Sequence, residues 1–150
     1  CSLFSFIRPP FCLWYNEIKN EVILMKLNPD CVRDILFVVE EYSTYSNDVS
    51  EDKLYENLIP KYSQEEILYH VRQCEHSGLF LNVQHYFGGF SIQDLSPYGH
   101  QFINDIRQDN NWNRTKDIAK NVGSFSLDVL KDISSQVITN LISNQLGNKF

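Results

Sequence analysis

Histidine and cysteine are the residue types in this chain best suited to metal or nucleophilic chemistry, but their spacing favours neither. The histidines do not form a His-x-x-x-His pair beside a carboxylate, so each is predicted to be a surface or half-buried side chain. The cysteines match no zinc-binding pattern. These residues are His70, His76, His85, His100, Cys1, Cys12, Cys31 and Cys74. The sequence predicts no metal site and no cofactor.

Other catalytic motifs are also missing from the sequence. Gly88-Gly89 lacks the lysine that follows in a phosphate-binding loop, so it is predicted to form a hairpin turn. No serine nucleophile elbow, catalytic cysteine motif or carboxylate pair stands out. The sequence therefore predicts a protein that is not an enzyme and that acts by binding.

The first candidate binding surface is the exposed face of a helix predicted near residues 64–76. Its side chains are Gln64, Tyr69, Arg72, Gln73 and His76. On a helix in the major groove, such side chains can read base edges. From Gln73 to Ile106, however, the sequence contains no Lys or Arg, and the predicted helix carries several glutamates. Because DNA affinity depends on cation–phosphate contacts, this face suits a protein partner better than a duplex, and an ordinary solvated face is the alternative.

A second candidate is a group of basic residues that follows. It comprises Arg107, Arg114, Lys116, Lys120 and Lys131, interleaved with Trp112. These residues are predicted either to form an off-centre patch for nucleic acid or to be spread around two helices, with Trp112 in the core.

Composition indicates a globular, acidic protein. The chain has 150 residues, is 43% hydrophobic and 13% aromatic, and carries a formal net charge of −6, which opposes binding to phosphate backbones. Pro9-Pro10 divides the apolar residues near the beginning, so no signal peptide, membrane span or membrane partner is predicted. Cys31 and Cys74 fall on apolar helix faces, and two buried thiols predict a cytoplasmic protein.

Met25 is the only methionine of the chain. Glu21-Val22 can be encoded by a purine-rich ribosome-binding sequence at a suitable distance before it, so we expect translation to start at Met25. Residues 1–24 are then a non-native upstream extension, disordered or loosely packed, and an amphipathic anchor is the alternative.

Three helices are predicted before a hairpin. Asn28-Pro29-Asp30 begins the first, which ends near Ser43, and Ser50 begins a short second helix that Pro60 stops. Ser63 and Glu66 form a capping box for the third, whose apolar face comprises Ile67, Leu68, Val71 and Cys74 and which Gly78 closes.

A β-hairpin and further helices are predicted next. Leu79, Leu81 and Val83 alternate with their neighbours before Gly88-Gly89, and Phe90 and Ile92 resume the alternation. Ser96-Pro97 begins a helix, "RQDNNWNR" breaks it, and Gly123 ends the following segment. Ser124 or Ser126 begins the last helix, which is closed by Gly147.

This order predicts an α+β, mostly α fold: a winged helix-turn-helix-like domain over 25–108 and a C-terminal helical extension over 109–150. The segments "SQEEILYHVRQCEHSGLF" and "LSPYGHQFIN" resemble the third helix and the exit from the wing in bacterial winged-helix regulators. Together with "MKLNPDCVRDIL" and "SFSLDVLKDI", they resemble the bacterial and prophage family called Domain of Unknown Function 2513, over about residues 25–146. That resemblance implies a winged-helix-like fold and transfers no catalytic residue, and the hairpin here is shorter than expected.

Two functions remain open at this point. One is a DNA-binding transcription regulator, which the element order favours. The other is a protein-interaction adaptor that uses its acidic third helix or its last helix. The strong apolar stripe of the last helix predicts either packing on its own domain or a homodimer through residues 126–146, and the apolar helices already present before Ser124 favour the dimer.

Overall fold

The computed structural model describes residues 26–148, which fold into six helices and a small antiparallel sheet. The elements are α1 (Pro29–Tyr42), β1 (Val49–Ser50), α2 (Glu51–Leu58), α3 (Gln64–His76), β2 (Val83–Tyr86), β3 (Gly89–Ile92), α4 (Pro97–Asp105), α5 (Asp109–Val122) and α6 (Leu127–Gly147). The prediction of a mostly helical α+β fold is confirmed. The expected start at Met25 and the predicted extension over 1–24 lie outside the described residues.

Side-chain caps fix where most of the helices begin. The side chains of five N-cap residues accept hydrogen bonds from backbone N–H groups of the first turn, which would otherwise lack a partner. These residues are Asn28, Ser50, Ser63, Ser96 and Ser126. The predicted helix starts at these positions are confirmed, with Ser126 rather than Ser124 as the last cap.

The sheet has the strand order β1-β3-β2. The hairpin of β2 and β3 turns at Phe87-Gly88, and Gly88 adopts a φ of 103°, in the region that favours glycine. Val49 of β1 pairs with Ile92 of β3 on the other side. The hairpin was predicted, but β1 was not, because two residues are too short for a detectable alternation.

The strand approaching the hairpin differs from its prediction. Leu79 and Phe80 are both buried, whereas Leu81 is 55% exposed. The predicted alternation of Leu79, Leu81 and Val83 is therefore wrong. Leu79 ends the turn after α3 and Phe80 bridges to Leu95, so regular strand geometry begins only at Val83.

The core is built around α1, which packs against α2, α3 and α4. Its buried side chains include Val32, Ile35 and Leu36. Cys31 and Cys74 are buried as predicted, and burial raises the pKa of both thiols, that of Cys74 to about 12. Both thiols are therefore protonated and unreactive at neutral pH.

Helices α4, α5 and α6 form the other side of the molecule, where α6 packs on both α4 and α5. The predicted break "RQDNNWNR" is shorter than expected, because α5 already begins at Asp109 and includes Trp112. Trp112 is buried as predicted, and its Nε1 donates a hydrogen bond to Asp30 Oδ1 at 2.8 Å. Asparagines and aspartate obscured this helix because they have low intrinsic helix propensity.

Asp30 joins α1 to α5. Lys116 Nζ lies 2.9 Å from Asp30 Oδ1, in addition to the Trp112 hydrogen bond. Burial alone would raise the pKa of Asp30, but these two hydrogen bonds and the positive charges of Lys116 and Lys61 together outweigh it, so the pKa lies below its usual value. The division between 25–108 and 109–150 remains a prediction, although these contacts cross it.

Candidate functional site

An open groove of about 420 Å³ lies between α3 and the hairpin, and we call it the α3–hairpin groove. Its residues are Leu68, Val71, Arg72, Glu75, His76, His85 and Phe90. Leu68, Val71 and Phe90 give it an apolar floor, while the other four side chains are polar. This volume can accept apolar side chains of a binding partner.

Glu75 and His85 connect the two walls of the groove. His85 Nε2 on β2 lies 3.0 and 3.1 Å from the carboxylate oxygens of Glu75 on α3. The His85 ring also lies near that of Phe90, with 6.2 Å between centroids. These contacts hold the hairpin beside α3 and leave the groove open.

Arg72 lies between this groove and a shallower depression of about 240 Å³ on the outer face of α3. That depression is lined by Glu65, Leu68, Tyr69 and Arg72. The Arg72 guanidinium lies 5.9 Å from the centre of the Tyr69 ring, and within residues 26–148 it forms no ion pair. Leu68 and Arg72 line both depressions, so the two form one continuous surface.

The structure brings three of the five predicted binding residues to this surface. Arg72 and His76 line the groove, and Tyr69 lines the adjoining depression. Gln64 instead donates from Nε2 to the Tyr55 hydroxyl of α2 at 3.3 Å, and Gln73 lines neither depression.

Five residues of the groove were missed as binding residues: Leu68, Val71, Glu75, His85 and Phe90. Leu68 was assigned wholly to the buried face, but it is only partly buried and opens onto the groove. The helical spacing of Glu75 and His76 placed them near the surface. Nothing local in the sequence showed which face of the hairpin α3 would meet, because that depends on tertiary packing.

The family can be assigned at this point. The sequence profile of the family described as "Hypothetical protein (DUF2513)" matches residues 26–126, about two thirds of the chain. The chain belongs to the DUF2513 family. It is also similar to an uncharacterized protein of Haemophilus influenzae, with 28% identity over 130 residues that cover 82% of this chain and all of that protein. No solved structure matches it.

The second predicted patch of this DUF2513 protein is partly neutralised by α1. Arg107 Nη2 lies 2.7 Å from Glu40 Oε2, and Lys116 pairs with Asp30. Arg114 and Lys120 are exposed on α5 and form no ion pair among the described residues. Lys131 Nζ lies 3.2 Å from Asp128 Oδ1 on α6. Three of the five cations are therefore already engaged by carboxylates.

Two further features of residues 26–148 bear on function. None of their helices is long and apolar enough to span a bilayer. No cluster of three or more His, Cys, Asp or Glu side chains in this part of the chain is arranged to hold a metal ion.

His70 lies on the buried face of α3. Its predicted surface or half-buried position is wrong, because the side chain is fully buried. The Asn28 backbone N–H donates to His70 Nε2 at 2.7 Å, and His70 Nδ1 lies 2.7 Å from the Glu66 carbonyl oxygen. Since Nε2 accepts, the proton must be on Nδ1, and the imidazole is neutral. Both ring nitrogens have partners, which explains how a histidine occupies this apolar face of α3.

Stability of this DUF2513 protein is expected to fall when the pH drops below about 6.5. Burial lowers the pKa of His70 from its ordinary value of 6.5. Between the unfolded and the folded pKa of His70, the unfolded chain binds a proton that the folded chain does not. Stability therefore decreases as the pH falls through this range, and the contribution of His70 stops changing below the folded pKa. Urea unfolding at pH 7.5 and at mildly acidic pH measures the effect. His70→Gln should reduce the pH dependence of stability. An unchanged pH dependence in that variant would show that other groups cause it.

Proposed function

We propose that this protein is a winged-helix-type adaptor, not an enzyme, that binds a segment of another protein in the α3–hairpin groove. The observation that carries this proposal is the groove's apolar floor, formed by Leu68, Val71 and Phe90. Interfaces obtain most of their affinity from a few apolar, aromatic and arginine side chains surrounded by polar ones. Two buried thiols, Cys31 and Cys74, favour a reducing compartment such as the cytoplasm.

Charge indicates the chemistry of the partner. Glu65 and Glu66 lie in the first turn of α3, and Glu75 lies in the groove, while Arg72 is the only Lys or Arg lining either depression. We expect a segment that combines an apolar anchor with Lys or Arg, because opposite charges improve both specificity and the rate of association.

Selection of displayed random peptides on the full-length protein tests this proposal. We expect enrichment of peptides with apolar and basic residues, and Leu68→Glu should weaken their binding about tenfold or more by placing a charge in the apolar floor. The matched control is Val122→Glu, an exposed apolar residue at the end of α5 and outside the groove. Failure to enrich such peptides, or equal binding by Leu68→Glu, would contradict the adaptor.

Duplex DNA is the second candidate partner, favoured by the fold. Three helices precede the hairpin, and β1 between the first two helices pairs with β3, as in winged-helix domains that bind DNA. The charges oppose it, because β2, β3 and α4 contribute no Lys or Arg. Fluorescence anisotropy with mixed duplex DNA at low and moderate salt separates the two. Salt-sensitive binding that Arg72→Ala reduces would favour DNA over the adaptor.

A further inference from the structure

The C-terminal part of α6 extends beyond the helices that pack against it. Helix α6 has 21 residues and is about 32 Å long, whereas α5 has 14 residues and is about 21 Å long. The short link between them, residues 123–126, makes them neighbours, so α5 can cover only the first two thirds of α6. Every residue from 139 to 148 is exposed.

Apolar side chains continue along this exposed part. Leu127, Leu130 and Val137 are buried, and the same helical spacing continues to Leu141, which is 37% exposed. Ile142 and Leu146 are each 53% exposed on the adjoining side of the helix. The face that forms the core at the beginning of α6 therefore continues as far as Leu141, and Ile142 and Leu146 extend the exposed apolar surface around the helix.

The charges around this face restrict what can cover it. No residue from 133 to 148 is charged, although the chain has a formal net charge of −6. A two-fold interface places the same segment of two identical chains face to face, so a net charge on that segment would repel its copy. A segment with no charge avoids that repulsion. It also offers nothing to attract a strongly charged partner or an anionic membrane.

We propose that the surface formed by Leu141, Ile142 and Leu146 binds the same surface of a second copy of this chain, which gives an antiparallel pair of α6 helices. Ten exposed residues per chain form less surface than the roughly 800 Å² that each partner contributes to a standard interface, so the dimer is expected to be of micromolar affinity. This inference is independent of the function proposed for the α3–hairpin groove.

Sedimentation velocity of the full-length protein tests the dimer, over concentrations from about 1 to about 300 µM, which bracket that affinity. We expect the wild type to change from monomer to dimer across this range, and Ile142→Glu to remain a monomer at the highest concentration. Ile142 is half exposed, so this substitution should leave the fold intact, and an unchanged circular dichroism spectrum and thermal midpoint verify that.

The matched control is Val122→Glu, which places the same charge on an exposed apolar residue of α5. It should dimerise like the wild type. A wild type that stays monomeric at every concentration would overturn the proposal, whether another segment of the chain covers this surface or nothing does. A dimer that Ile142→Glu leaves intact, a dimer that Val122→Glu also disrupts, or an assembly larger than two chains would overturn it as well.

Discussion

Replacement of Gly99 by alanine is expected to destabilise the fold by about 3 kcal/mol or more. A Cβ atom on Gly99 would overlap the carbonyl oxygen of Leu79 and would lie 3.1 Å from the carbonyl carbon of that residue. The obstacle is backbone, which cannot move aside as the end of a flexible side chain can. Helix α4 would have to shift away from the end of α3.

The contacts around Gly99 leave little room for such a shift. Ser96 N donates to the Leu79 carbonyl oxygen at 2.9 Å, and the Ser96 hydroxyl donates to the Gly78 carbonyl oxygen. The same hydroxyl oxygen accepts the Gly99 N–H at 3.1 Å. The start of α4 is therefore fixed to the turn that ends α3, and displacement would break hydrogen bonds at both helix ends. This close approach gives a physical reason for the glycine in the segment "LSPYGHQFIN".

Urea unfolding followed by circular dichroism measures the change in the free energy of unfolding. Gly147→Ala is the matched control, because nothing lies within 4 Å of the Cβ position in this exposed glycine of α6. It should change stability by no more than about 0.5 kcal/mol. Similar stabilities for the two variants would show that α4 can move away from Leu79 at little cost.

Replacement of Trp112 by alanine is expected to destabilise the protein by about 3 to 5 kcal/mol. The indole is 2% exposed, and it provides both apolar area and the hydrogen bond to Asp30. Alanine leaves a cavity between α1 and α5 and removes one of the two groups that hold the Asp30 carboxylate. Circular dichroism is the appropriate measurement, because the chain has only two tryptophans and the substitution changes the fluorescence itself.

Trp112→Phe separates the two contributions. It keeps most of the apolar ring, removes the indole N–H and leaves a smaller cavity than alanine does, so we expect a loss of about 1 to 2 kcal/mol. If phenylalanine costs as much as alanine, the hydrogen bond to Asp30 outweighs the packing. If alanine costs less than about 1 kcal/mol, the neighbouring helices collapse into the space and Trp112 does not anchor α5.

Local signals in the sequence were sufficient to predict where most of the helices begin and end. Asn28, Ser63 and Ser96 each combine a capping side chain with a following apolar pattern, and these signals act within a few residues. Gly123 ends α5 with a φ of 83°, as the C-terminal signal predicts. The low helix propensity of asparagine and aspartate concealed the start of α5, and β1 was too short to show an alternation of apolar and polar residues.

Features that depend on distant residues were harder to predict. His70 appeared to be a surface or half-buried histidine because its partner, the Asn28 N–H, is 42 residues away in the sequence. In the same way, the pairing of Glu75 with His85 depends on which face of the hairpin meets α3. Tyr69, Arg72 and His76 were identified because helical periodicity alone places them on the outer side of α3. Which residues line the groove could be determined only from the tertiary structure.

The link between Asp30 and α5 has a consequence for how the protein folds during synthesis. Trp112 and Lys116 follow Asp30 by 82 and 86 residues, so the ribosome completes α1 long before either partner exists. The beginning of α1 therefore stays exposed to water until α5 has emerged from the ribosome. Pairings so distant in sequence slow folding, because a long loop must close before they form. The core between α1 and α5 therefore cannot close before α5 has been synthesised, and a nascent chain stalled earlier would present an incomplete apolar surface to chaperones.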